Sequence, residues 1–273
     1  MTCETSAFRV FCVFYGSKEK TSAPHSPCIS ENPPHLFGIK ISVIIPAHNE
    51  EKFLPDGLAA IEKARVFYPC DVETIVVLNR CTDHTAEIAE RAGCRLVTEE
   101  AKNLSRIRNA GLNAADGNIV ITVDADSRFH PRMFQDVVTK LESGKYVGGG
   151  AMVLPERWSP GIFMTGAVIA LYLAKFKVSF GTFWTTREAC EAIGGFNPDF
   201  VTIEDVDFAV RLRQLGIHRD QKFGTLFRAP LTTSCRKFDQ QGDWHVLREH
   251  DFLNRAMTGH DPEAGEYWYE PDR

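Results

Sequence analysis

Ile41-Ser42-Val43-Ile44-Ile45-Pro46-Ala47-His48-Asn49-Glu50-Glu51 decides how the rest of this chain is read. Four of its first five residues are β-branched and apolar, the pattern of a short strand covered on both faces. Pro46 closes the run, and polar and acidic residues follow at once. Outward from here the chain repeats itself. A helix with apolar Phe53, Leu54, Leu58 and Ile61 precedes a second strand, Thr74-Ile75-Val76-Val77-Leu78. Thr85–Arg91 reads as a short helix stopped by Gly93, 94–98 as a third strand, and 104–115 as a helix closed by Gly117. Ile119–Val123 is the fourth strand, and Pro131 opens another helix that Gly144 ends. Strands alternating with helices of about ten residues predict an α/β, Rossmann-like fold: a mostly parallel sheet with helices on both faces. Ligands in such sheets bind beyond the carboxyl ends of the strands.

The 273 residues suffice for one large domain, and 44% hydrophobic with 25% charged residues is ordinary for a globular protein. A net charge of −5 without a long basic run argues against nucleic acid as a main partner. Eight cysteines include no CxxC pair and fit no zinc or disulfide framework, so reduced thiols and a cytoplasmic location are expected. The apolar stretch 8–15 is broken by Arg9 and does not read as a secretory signal. The longest apolar run, 161–174, is followed by Lys175 and Lys177 and falls short of the about 20 residues of a membrane span. It is expected to be a buried or interfacial helix. Its flanking Trp158 and lysines make docking on a membrane surface, or a lipid acceptor, worth testing.

Three strand ends carry polar groups: Asn49 and Glu50 after the first, Asn79 to Asp83 after the second, Asp124-Ala125-Asp126 after the fourth. None has a GxGxxG turn or a GxxxxGK[ST] loop, so phosphates are not held by a glycine loop. A divalent cation is the natural substitute. Mg²⁺ and Mn²⁺ take one or two carboxylates plus substrate phosphates, which Asp126 beside Asp124 could provide. A solvated acidic turn is the competing reading. Glu204-Asp205-Val206-Asp207 opens a helix, and Thr202 to Asp205 fits a capping box. The preceding loop, Gly194-Gly195-Phe196-Asn197-Pro198, could aim those acids into a cleft, where one would serve as general base toward a hydroxyl. Thr182-Phe183-Trp184-Thr185 reads either as an acceptor wall or as a core strand. Gly148-Gly149-Gly150 reads as a bulge or as a close approach to a ligand.

Taken in order, Ile41 to Glu51, the Asn79 to Thr85 segment, Arg108-Asn109-Ala110-Gly111, Asp124-Ala125-Asp126, and Gly194-Gly195-Phe196 followed by Glu204-Asp205 resemble family-2 glycosyltransferases over about residues 39–235. The resemblance implies the glycosyltransferase-A fold and an inverting transfer from a nucleotide-diphosphate sugar, a UDP-sugar first, to an acceptor hydroxyl. It implies that Pro46, Asn49 and Glu50 lie along the nucleoside, Asn79 and Asp83 at the base, and Arg108 at the base or diphosphate. Asp124 would meet the ribose, Asp126 the metal, Asp205 would be the base, and Glu204 would support the acceptor. Trp184 and Gly195 are the acceptor-side candidates. Acceptors of three kinds fit: a glycan, a lipid or a small molecule. The expected organisation is an extension over 1–38, a catalytic domain over 39–240 with nucleotide-binding (39–128) and acceptor (129–240) halves, and a tail over 241–273. Leu78-Asn79 departs from the paired aspartates common in the family, which leaves the nucleobase open. A sugar nucleotidyltransferase would place a glycine-rich basic loop where Ala47 to Glu51 stands, and a silent nucleotide-sugar-binding module would not need Asp205.

Overall fold

The structure is a computed structural model and describes residues 38–248 except Phe180 and Val201. The first half runs β1 (Lys40–Ala47), α1 (Leu54–Phe67), β2 (Asp71–Leu78), α2 (Thr85–Arg91), β3 (Arg95–Thr98), α3 (Leu104–Ala114) and β4 (Ile119–Val123). The second half runs β5 (Ser127–Phe129), α4 (Met133–Glu142), β6 (Tyr146–Pro155), α5 (Pro160–Phe176), β7 (Thr182–Thr186), α6 (Arg187–Ala192), α7 (Glu204–His218), β8 (Lys222–Thr233), α8 (Arg236–Gln241) and α9 (His245–Arg248). One eight-stranded sheet has the order β3-β2-β1-β4-β7-β6-β8-β5. β1, β2, β3 and β4 pair in parallel, as do β6 and β8. β7 lies antiparallel between β4 and β6, and β5 is antiparallel to β8.

The period of two in β1 sets the layers. Ile41, Val43, Ile45 and Ala47 join one core, and Ile44 the other. β4 divides likewise, with Ile119, Ile121 and Val123 on the first face and Val120 on the second. α1 and α4 cover the first face through Leu54, Ile61, Phe134 and Val137; α3 and α7 cover the second through Ile107, Phe208 and Leu212. Pro46 does not end β1: it is buried inside the strand, paired in register with Val77. Its expected place along a nucleoside is therefore corrected to a packing role one residue before the strand end.

α3 lies unusually close to the sheet. A Cβ on Gly111 would overlap the Ile44 Cγ2 methyl and come within 2.9 Å of Val77 Cγ2. A mid-helix glycine costs roughly 1 kcal/mol relative to alanine in an open helix, yet here the methyl has no room. Gly111→Ala is expected to lower stability by about 1–3 kcal/mol, read from urea unfolding. An unchanged midpoint would show that α3 can lift without loss.

The bulge reading of the glycine run is borne out. The glycines at 148–150 make a bulge: the β6–β8 register shifts between Tyr146 and Gly148, and Gly149 packs against Gly224 and the Trp184 ring. α5 is not buried; only Gly161, Ile162, Thr165 and Leu173 are covered. Within the stretch expected as a tail, Gln241 ends α8 and α9 follows it to pack on α5. The rest of 241–273, and residues 1–37, lie outside the described residues.

Candidate active site

The strand-end loops are stitched together before any ligand arrives. Asn49, in the left-handed region at φ 54°, accepts at Oδ1 from the Thr82 backbone N–H over 2.8 Å. Asp83 caps α2 by accepting from Thr85 N and Oγ1, and its other oxygen accepts from Glu51 N. Asn79 is 1% exposed; its amide donates to the carbonyls of Glu99 and Ala101 and its Oδ1 accepts from Arg80. Asn79, expected at the base, is thus bound within its own loops. Both ends of its amide are engaged in holding the loop after β3. Asp83 is likewise committed to the scaffold, and hydrogen bonds from Thr85 and Glu51 outweigh burial and hold its carboxyl below the usual range.

A second group gathers the acids. Arg108 on α3 donates from Nη1 to Glu204 over 2.9 Å and from Nη2 to Asp124 over 3.0 Å. Its guanidinium lies 5.1 Å from the Phe196 ring centroid, and Phe196 stacks on Phe208 of α7 at 4.2 Å. Arg108 and Glu204 are almost covered, whereas Asp124 is half exposed. Arg108, expected at a base or diphosphate, here bridges the two carboxylates. Gly195 is buried at φ 67°, and a Cβ there would come within 2.6 Å of Asn109 Oδ1. Asn109 clamps the backbone of Phe196 from both sides. Gly195 therefore fastens the loop to α3 rather than meeting an acceptor.

α7 begins abruptly. Ile203, the residue before it, sits at φ 51° with no side-chain cap, so the capping box expected at Thr202 is corrected. A β-branched residue in that region costs on the order of 1–3 kcal/mol and persists where surrounding structure imposes it. Here the imposed turn sets Glu204 inward and leaves Asp205 part-exposed. Burial, then the Asp205 charge, pushes Glu204 up to about 7 against the pull of Arg108. Burial also raises Asp205, with Arg108 opposing and Asp124 adding to the rise.

Residues 42–194 match the family described as Glycosyl transferase family 2. The chain belongs to that family. A glycosyltransferase of Mycobacterium tuberculosis, uncharacterized, is 35% identical over 109 residues, 40% of this chain and 47% of its own length. The chain thus spans about half the length of that curated relative. Among solved structures, a mannosyltransferase of Pyrobaculum calidifontis with GDP-Man and Mn²⁺ aligns at a TM-score of 0.61 and 20% identity, over 94% of this chain and 74% of that one. TarS of S. aureus with UDP-GlcNAc aligns at 0.56 and 18%, over 72% and 58%. These likenesses bear out the fold.

In this family-2 chain a third group faces Asp126. Ser234 Oγ donates to its Oδ2 over 2.8 Å, and Arg236 Nε stands 3.4 Å away. Arg236 in turn makes a two-pronged pair with Glu50, at 2.8 and 2.9 Å. Glu50, expected along the nucleoside, is thus paired with Arg236. Arg236 was missed from sequence: it lies in the polar segment 232–237, where no local pattern singles it out. Among the described residues no three His, Cys, Asp or Glu side chains converge to hold a metal. The hard oxygens of Asp126, with Asp124 nearby in sequence, suit Mg²⁺ or Mn²⁺ only where phosphates complete the shell. His245, a conceivable further ligand, is buried against Phe238 with Nδ1 3.0 Å from the Gly242 carbonyl; His250 lies outside the described residues. Trp184 is fully covered and donates from Nε1 to the Gly150 carbonyl, so the acceptor-wall reading is corrected to a core strand.

Proposed function

We propose that this chain is an inverting glycosyltransferase that moves a sugar from a nucleotide-diphosphate donor, a UDP-sugar first, to an acceptor hydroxyl. One observation carries the reading: Arg108 ties the acidic start of α7 to the Asp124 end of β4, so base and donor side form one centre. Asp205, part-exposed, is the acid that can touch an incoming hydroxyl, whereas Glu204 is covered. Asp205 takes the hydroxyl proton as the oxygen attacks the anomeric carbon. The bond to the diphosphate breaks in the same step, and its electron pair leaves with the phosphate. Burial supports this role, since a raised carboxylate is a stronger base than one in water. Arg108 holds Glu204 beside it and limits their mutual repulsion. Half-exposed Asp124 is placed for a ribose hydroxyl. A divalent cation on Asp126, Mn²⁺ or Mg²⁺, would neutralise charge on the departing diphosphate. The two solved neighbours hold UDP-GlcNAc and GDP-Man, which share the donor class and leave the base to be measured. Among the described residues Cys70, Cys81, Cys94, Cys190 and Cys235 are free thiols, in keeping with the expected cytoplasmic location.

Calorimetry with UDP-, GDP- and dTDP-sugars, with and without Mn²⁺, tests this. Mn²⁺-dependent binding and slow hydrolysis of one nucleotide class are expected, weakened by about 10²-fold in Asp126→Ala. Indifference of a folded wild type to every donor would remove the transferase reading, and tight binding with no turnover on any acceptor would favour a binding protein.

A further inference from the structure

α5 presents to solvent what a core helix would hide. Phe163, Met164, Val168 and Leu171 are all exposed, Leu171 to 72%. Gly166, Ala170 and Ala174, also exposed, complete an outer face with no polar side chain before Lys175. The opposite face is well packed. Leu173 meets Val206 and Val210 of α7, with Ile169, Tyr172, Phe176 and Ile203 around them. The helix is thus held rigidly against the element that opens with Glu204 and Asp205.

Charge is distributed to match. No acidic residue occurs between Glu156 and Glu188, although the chain carries −5 overall. Within that span lie Arg157 and Arg187, paired with Asp239, Asp243 and Glu191, and the exposed Lys175 and Lys177. Trp158 stands exposed just before the helix, and Trp244, also exposed, follows Asp243, whose backbone abuts Gly161. Indole rings at one end and lysines at the other are the side chains that settle at the headgroup level of a bilayer, their apolar parts inward. The 17-residue helix is about 26 Å long at 1.5 Å per residue, and no described helix is long and apolar enough to cross a membrane. Lying in the interface is the geometry left to it.

We propose that the outer face of α5 docks this protein on the surface of an anionic lipid bilayer, with Lys175 and Lys177 on the headgroups. The occupant is lipid because the face combines an uninterrupted apolar strip with Lys175 and Lys177 at its C-terminal end, while at the other end Asp239 and Asp243 are paired with Arg157; a positive fringe is what a negative leaflet attracts. The inference stands on the surface of α5 and does not depend on the transfer reaction.

The test is co-sedimentation of the full chain with phosphatidylcholine vesicles, alone or carrying about one third phosphatidylglycerol. Binding is expected to the mixed vesicles and to be much weaker to the neutral ones. Leu171→Asp should weaken it by about tenfold or more, and Lys175→Gln by about fivefold. Both sites are exposed, so melting temperatures should hold. No binding by folded wild type, or binding that Leu171→Asp leaves unchanged, would overturn the proposal. So would a dimer in light scattering that Leu171→Asp dissociates, since a second copy would then own the face. Donor calorimetry on the same samples separates the two readings: donor binding without vesicle binding sinks docking alone, and the reverse sinks the transferase.

Discussion

Asp205→Asn is expected to slow transfer by about 10³-fold while leaving the fold at least as stable as the wild type. The amide keeps the volume and cannot take a proton. Three acidic groups crowd this corner against one guanidinium, and both Glu204 and Asp205 are pushed up by burial. Removing the Asp205 charge relieves Glu204 of its second-largest perturbation while Arg108 keeps both its partners. The pH dependence follows. Glu204 titrates near 7 in the folded chain against an ordinary 4.5, so the native state holds the extra proton between those values. Stability from this group is complete below 4.5 and declines as pH rises toward 7. That decline should be shallower in Asp205→Asn. Thermal melts from pH 4.5 to 8 and single-turnover rates on a working acceptor check both halves. Retention of turnover within about tenfold would remove Asp205 from the base role.

Arg108→Met is expected to be the most damaging single change to stability, at about 3–5 kcal/mol. It leaves Glu204 covered without its cation. Asp124 contributes less, being half exposed and able to recruit water. Because the cation is what holds Glu204 down, its loss raises that carboxyl further. The deficit should therefore be largest at pH 8 and smaller at pH 5. Arg108→Met with Glu204→Gln should recover much of it, since an uncharged pair needs no counter-ion. Urea unfolding of the single and double variants at both pH values measures the coupling. A double variant no better than the single one would mean that the loss comes from the Arg108–Phe196 contact and not from the buried charge.

Much of the first half was legible because its central strands β1 and β4 are covered on both faces, a condition that β-branched apolar runs such as Ile41 to Ile45 satisfy. Thr85–Arg91 and Ile119–Val123 fall where their flanking residues place them. The second half was harder. β7 holds Thr182, Trp184 and Thr185, which read as polar and ligand-facing, but their hydroxyls and indole all bond backbone carbonyls inside the sheet. The acids of the site were visible as residue types at strand and helix ends, yet their partners were not. Glu50 and Arg236 are 186 positions apart, and nothing local to either announces the pair. Asn79 and Asp83 show the same limit: a polar side chain after a strand can serve a ligand or its own loop, and their bonds to the loops are set by residues distant in sequence. Thr202 suggested a cap because the alphabet of caps is chemical, whereas Ile203 turns the chain through its backbone.

The antiparallel β7 also has a temporal meaning. β4 presents its outer edge to β7, whose Thr182 hydroxyl reaches the Thr122 carbonyl from 60 residues further along the chain. A ribosome adding roughly 5–20 residues per second leaves that edge open for about 3–12 s. During that interval the nascent chain carries a finished parallel half whose most apolar strand has unpaired backbone on one side, the template on which strands of other molecules add. Pairing of β7 closes that edge of β4, and the far edge of β6 then stays open in turn until β8 (Lys222–Thr233) is made, so the sheet's exposure to aggregation ends in two stages.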